Sequence, residues 1–127
     1  MKLQSLLKAE SALTPPQELG DTPLGRRRII GISGRTDGVA DLDARYTLQT
    51  ADGALIYVEN RGYRHGPKEI LERLAAGEPV DPALYYMRTT PRFETGDARY
   101  AWLNRMVCVA TGARRPAAVE LEVFKVL

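Results

Sequence analysis

Asp41-Leu42-Asp43-Ala44-Arg45-Tyr46-Thr47-Leu48-Gln49-Thr50, followed by Ala51-Asp52-Gly53 and then by Ala54 to Gly62, is the stretch whose reading decides the fold. In the first arm Leu42, Ala44, Tyr46 and Leu48 point to one side, while Asp41, Asp43, Arg45, Thr47 and Gln49 point to the other. That period of two is the mark of a strand with one buried and one polar face. Asp52-Gly53 carries the chemistry of a tight hairpin loop, and Ala54 to Gly62 returns as the partner strand. The stretch is a β-hairpin.

Downstream the period changes. In Pro67 to Ala76 the residues Ile70, Leu71 and Leu74 share one helical face, Pro67 suits a first helical position and Gly77 suits a stop, so one short helix is predicted over 67–76. Leu84 to Glu94 and Arg99 to Thr111 read as strands joined by Thr95-Gly96-Asp97. Pro91 within the first of them predicts an edge, a bulge or a bend. Val119 to Leu127 is a final strand. Upstream, Arg26 to Ile32 reads as a strand running into the turn Gly34 to Gly38. Thr14 to Asp21, with two prolines and a glycine, is an irregular connection, and residues 1–13 fit a strand or a short helix equally. Six or so strands with one short helix predict an all-β chain, an antiparallel β-barrel of about six to eight strands. A barrel is favoured over a sandwich because closure removes exposed edges.

The length of 127 residues fits a single domain, residues 1–127, and a hydrophobic share of 44% excludes a disordered chain. No apolar run is long enough to span a bilayer, and Met1 to Lys8 lacks the sustained apolar stretch of a secretory signal. Lys+Arg 18 against Asp+Glu 16 gives +2, too balanced for a dedicated nucleic-acid binder. The single cysteine, Cys108, cannot close an internal disulfide, and between Val107 and Val109 it reads as buried and inert. These readings predict a cytoplasmic protein with no nucleic-acid or membrane partner.

Few residues carry recognisable chemistry. One histidine and one cysteine cannot supply a zinc site. Asp41 and Asp43 share a strand face, but such a pair is more often a solvated edge than a cation site, so no metal is predicted. There is no Gly-x-Ser-x-Gly and no phosphate-binding glycine loop. His65 reads as a solvated loop residue, and Arg26-Arg27-Arg28 as a solvated strand start. No cofactor pattern is present.

The informative stretch is Tyr85 to Gly96 with Arg99 to Arg105. On strands, Tyr86, Arg88 and Thr90 would share one face, and Tyr100, Trp102 and Asn104 another. Those faces mix rings, guanidinium, hydroxyl and amide, and in a dry core Arg88 and Asn104 would go unpaired. They therefore either line a polar-aromatic cavity or tie strands together at the surface. In a cavity Arg88 and Asn104 would orient an anionic or carbonyl end, and Tyr86, Phe93, Tyr100 and Trp102 would contact an apolar body. Glu94 and Tyr86 are the catalytic candidates for moving a proton.

Taken together, Asp41 to Gly62, Tyr86-Met-Arg-Thr-Thr-Pro-Arg-Phe-Glu-Thr-Gly96 and Tyr100-Ala-Trp-Leu-Asn-Arg105 resemble the uncharacterised DUF3237 family, also called UPF0311, over nearly the whole chain. The resemblance implies a small antiparallel β-barrel with no assigned activity. It adds Tyr57, Asn60 and Arg61 to Arg88, Phe93, Glu94, Tyr100, Trp102 and Asn104 as candidate cavity lining. After Gly34 the family pattern carries a further glycine-rich segment and strand pair, which this chain lacks. The resulting expectation is a protein that binds a small apolar or aromatic molecule with an anionic or carbonyl group. Cofactor-independent acid–base chemistry of the isomerase, cyclase or lyase type would accompany binding if the protein is an enzyme. The alternatives are a non-catalytic carrier and a homo-oligomeric assembly protein.

Overall fold

The hairpin forms as its alternation dictates. Strand β3 (Ala40–Gln49) pairs antiparallel with β4 (Leu55–His65) in unbroken register from Ala40↔Arg64 to Gln49↔Leu55. Gly53 takes a φ of +88° in the loop, which an L side chain rarely adopts, and the Thr50 N–H closes the loop onto Ala54 O at 2.9 Å. This computed structural model describes residues 2–12, 28–34, 38–50, 52–116 and 118–127. The expected connection over 14–21 lies outside them, as do residues 35–37, where the departure from the family pattern falls.

Around the hairpin stand β1 (Leu3–Ala12), β2 (Arg28–Gly34), the helix α1 (Lys68–Ala75), β5 (Tyr86–Glu94), β6 (Cys108–Arg114) and β7 (Ala118–Val126). The seven strands form one sheet in the order β1-β7-β6-β5-β4-β3-β2, with every neighbouring pair antiparallel. The all-β antiparallel expectation is met, and residues 1–13, open between strand and helix, supply β1. Six antiparallel steps leave β1 and β2 running in the same direction at the two edges, and no ladder joins them among the described residues.

Exposure alternates strictly along β5, where Met87, Thr89, Pro91 and Phe93 are buried and Tyr86, Arg88, Thr90, Arg92 and Glu94 are not. Two apolar clusters occupy the buried side. One joins Ile56, Val58, Phe93, Leu103, Cys108, Ala110 and Val123, with Tyr46 and Leu48 of the hairpin packed against it. The other joins Leu74, Val80, Tyr85 and Met87, with Ile70 and Leu71 of α1 and Leu42 beside them. The predicted helical face is therefore the face α1 buries. Pro91 lies past the β5–β6 ladder, which holds only Arg88↔Thr111 and Thr89↔Ala110. Pro91 still pairs with Asn60 of β4, so it stands where β5 has a ladder partner on one side only, a local edge position. Cys108 is 3% exposed, and burial pushes its thiol up, away from the reactive thiolate.

One element differs from its prediction. Arg99 to Thr111 is not a single strand, because Ala98–Arg105 forms a 3-10 segment and β6 begins only at Cys108. The cause is local side-chain bonding that outcompetes a ladder. Asp97 accepts the Arg99 N–H at 2.9 Å, and the Tyr100 N–H reaches Asp97 O at 3.1 Å. The Arg99 guanidinium donates to Asp97 Oδ2 at 2.8 Å, and this pairing holds the Asp97 carboxyl down at about 2. A second 3-10 turn at Pro82–Leu84 similarly shortens the strand expected from Leu84.

Candidate functional site

The polar side of the sheet carries a cavity of about 940 Å³, within the range of small-molecule sites. Its lining comes from β1 and β3 to β7. Six strands at about 4.8 Å spacing would spread roughly 24 Å if flat, so a cavity lined by all of them needs a curved sheet. Two cross-strand rows point into it. The first runs Asp41, Tyr63, Arg88, Thr111, each directly opposite the next; the second runs Asp43, Arg61, Thr90, likewise opposite one another, with the Val109–Phe124 pair beyond the end of the β5–β6 ladder. Between the rows the floor is the backbone of Leu42, Gly62, Thr89 and Ala110; the Leu42, Thr89 and Ala110 side chains point to the core side. Charge thus collects at the β3–β5 end and apolar surface at the β6–β7 end, where Leu3 joins Val109 and Phe124.

The charged groups are unequally occupied. Asp43 stands between two arginines, its Oδ2 3.6 Å from Arg61 Nε and its Oδ1 3.6 Å from Arg45 Nε. Arg88 donates to Met87 O at 2.9 Å and sits with its guanidinium carbon 5.4 Å from the centre of the Tyr86 ring. Among the described residues no carboxylate pairs with it, and the side chain lines the cavity with donors of its fork left for a ligand. Tyr86 is in turn stacked on His65, ring centres 4.7 Å apart, which gives the histidine a packing role beside the site.

Of the residues singled out from sequence, the cavity brings together Tyr86, Arg61 and Arg88. Tyr57 and Glu94 share its strand face, but Glu94 is six residues from Arg88, roughly 20 Å along a strand. They face each other across β4 and β5, and Tyr57 donates to Glu59 Oε1 at 3.2 Å. Asn60, 5% exposed, and Phe93, 9% exposed, point to the core side. Tyr100, Trp102 and Asn104 lie on the 3-10 segment, so they share no strand face. Tyr100 donates to Asp52 Oδ2 at 2.8 Å, a bond that pushes its phenol up, and with Arg99 it ties the segment to the hairpin loop. Trp102 packs against the larger core cluster.

Asn104 clamps a turn. It accepts the Thr95 N–H at 2.8 Å and donates to Thr95 O at 2.9 Å. Asn104→Ala should therefore cost about 2 kcal/mol, because truncation strands the backbone groups of a buried threonine. Chemical denaturation measures this, and a cost below about 0.5 kcal/mol would show the clamp to be idle.

The sequence reading missed Tyr63, Thr111, Val109, Phe124 and Leu3, and it weighed Asp41 and Asp43 only as a solvated strand face against a cation site. For Tyr63 a signal existed, since it follows Arg61 by two residues on one strand. For the others the signal is strand register across the sheet. Among the described residues no three His, Cys, Asp or Glu side chains come together as a metal site, and no helix is long and apolar enough to cross a membrane.

Residues 32–126 match the family described as "Protein of unknown function (DUF3237)". The chain belongs to the DUF3237 family. It is 43% identical over 129 residues to the UPF0311 protein blr7842 of Bradyrhizobium diazoefficiens, with 85% of each chain covered. It is also similar to the crystal structure of RPA1785 from Rhodopseudomonas palustris, a conserved protein of unknown function. That match has a TM-score of 0.84 and 33% identity, and covers 99% of this chain and 97% of the other. A protein from Acinetobacter baumannii described as beta-barrel like matches at TM-score 0.69 and 38% identity, covering 98% and 94%. The curled sheet of this DUF3237 member is thus the barrel-like architecture of its relatives, as the sequence resemblance implied.

Proposed function

We propose that this DUF3237 protein binds a small molecule with an apolar or aromatic body and one anionic or carbonyl end in the curled-sheet cavity. The observation that carries the reading is Arg88: a guanidinium in the cavity wall, flanked by Tyr63 and Tyr86, with no carboxylate partner among the described residues. It would fork onto the polar end, while Val109, Phe124 and Leu3 take the apolar body. If turnover accompanies binding, Tyr86 is the better placed of the two acid–base candidates, since Glu94 lies far along the strand. A carrier needs only the cavity.

Calorimetry with 3-phenylpropanoate and its neutral amide tests the reading. The acid should bind in preference to the amide, and Arg88→Ala should weaken the acid at least about tenfold, the usual loss for a hydrogen bond to a charged group. Equal binding of acid and amide, or an acid indifferent to Arg88→Ala, would sink it. Analysis of the recovered ligand after incubation then separates carrier from enzyme. A second reading, assembly through sheet edges, is supported by the edge strands β1 and β2 having no ladder between them among the described residues. Particle size measured across a concentration series tests it, and a constant monomer would end it.

A further inference from the structure

We infer that the cavity selects singly charged acids over doubly charged ones, and that Asp43 sets this choice by occupying Arg61. The inference rests on the cavity being the ligand site proposed above. Four charged side chains line the cavity: Asp41 and Asp43 from β3, Arg61 from β4 and Arg88 from β5. Their formal charges cancel. A monoanion on Arg88 therefore meets the one guanidinium among them that has no carboxylate partner among the described residues. Among the described residues that line the cavity, a second negative charge on the same ligand has only Arg61 to turn to.

Arg61 is within geometric reach of such a charge. It stands opposite Thr90, and Arg88 is two residues before Thr90 on β5, so the two arginines are diagonal neighbours. Diagonal positions on one face lie about 7–8 Å apart, a gap that two carboxylates on neighbouring carbons can bridge. Asp43, however, sits directly across from Arg61 with its Oδ2 3.6 Å from Arg61 Nε. A second ligand carboxylate must push Asp43 aside or lie against it, and like charges set together oppose binding. Asp43 does not need to touch the ligand to discriminate; it acts through Arg61 and is a positioning residue.

The test compares 3-phenylpropanoate with benzylsuccinate, which adds one carboxymethyl group and so a second negative charge to the same apolar body, by calorimetry at fixed low salt. The wild-type protein should prefer the monoacid by about tenfold or more. Asp43→Asn should shift the ratio toward the diacid by about tenfold or more, and adding Arg61→Gln to it should erase that shift. Asp43→Glu keeps the charge and should keep the wild-type preference, which separates the effect from general damage to β3. A wild-type preference for the diacid overturns the inference without any variant. So does an unchanged ratio in Asp43→Asn, or a shift that survives loss of Arg61. Those results leave the cavity reading standing, whereas failure of both acids to bind the wild-type protein overturns the cavity reading and this inference with it.

Discussion

Phe93→Ala should lower the stability of this protein by about 3–5 kcal/mol, the usual cost of emptying a buried aromatic site. Phe93 is 9% exposed and joins strand β5 to Ile56 and Val58 of β4, to Leu103 of the 3-10 segment, and to Cys108, Ala110 and Val123 beyond. Alanine would leave a cavity that these neighbours can only partly fill, since they belong to four different elements, three of them already fixed by their ladders. Urea denaturation should show the midpoint falling with little change in slope. Phe93→Leu keeps most of the volume and should cost far less. The sequence offered Phe93 as a ligand contact. A Phe93→Ala protein of unaltered stability with selective loss of ligand binding would restore that role and contradict its place in the core.

The second large effect is expected at Gly62, in the cavity floor between Arg61 and Tyr63. A Cβ built there would lie 2.1 Å from Arg88 O and 2.6 Å from Thr89 Cα. Both are backbone atoms, so no rotamer change can relieve the clash, and β4 and β5 must move apart where Gly62 faces Thr89. Gly62→Ala should cost about 3 kcal/mol or more, at or beyond the upper end of ordinary overpacking. For a chain of this size that corresponds to roughly 10 °C or more in Tm. Gly96 is the internal control. A Cβ there meets nothing within 4 Å, so Gly96→Ala should stay within about 0.5 kcal/mol of wild type. Similar melting temperatures for the two variants would show that the close approach at Gly62 is not a constraint.

These two residues also show how far the sequence could be read. Period-two alternation placed Leu42, Tyr46 and Leu48 on the buried side of the hairpin, and Tyr86, Arg88 and Thr90 together on the polar side of β5. Both hold, because alternation follows from the pleat of a single strand. The same alternation, had it been followed past Gly62, would have set Tyr63 on the face of Arg61; the resemblance, which groups residues by motif, instead drew Asn60 into the set with Arg61. Asn60 follows the pleat and points to the core. Tyr100, Trp102 and Asn104 have apparent period two as well. Yet Asp97 and Asn104 offer the backbone nearer partners than a neighbouring strand does, and the chain winds into a 3-10 segment. Side-chain competition of this kind depends on which groups end up within hydrogen-bond reach, and spacing alone does not rank it.

What the sequence determined by itself is everything that a single strand or helix can dictate: the hairpin at Asp52-Gly53, the buried face of α1, the inert Cys108, the all-antiparallel class and the family. Each rests on interactions between residues close along the chain, or on a pattern of residue types. The cavity was decided elsewhere. Leu3, Asp43, Arg61, Val109 and Phe124 come to one site only because seven strands pair in a particular order and register and the sheet curls toward one side. A shift of one residue in any ladder would turn that strand's contribution to the opposite face. The partnering of Arg61 by Asp43, and the lack of a carboxylate partner for Arg88 among the described residues, are properties of that register, and they exist only in the folded sheet.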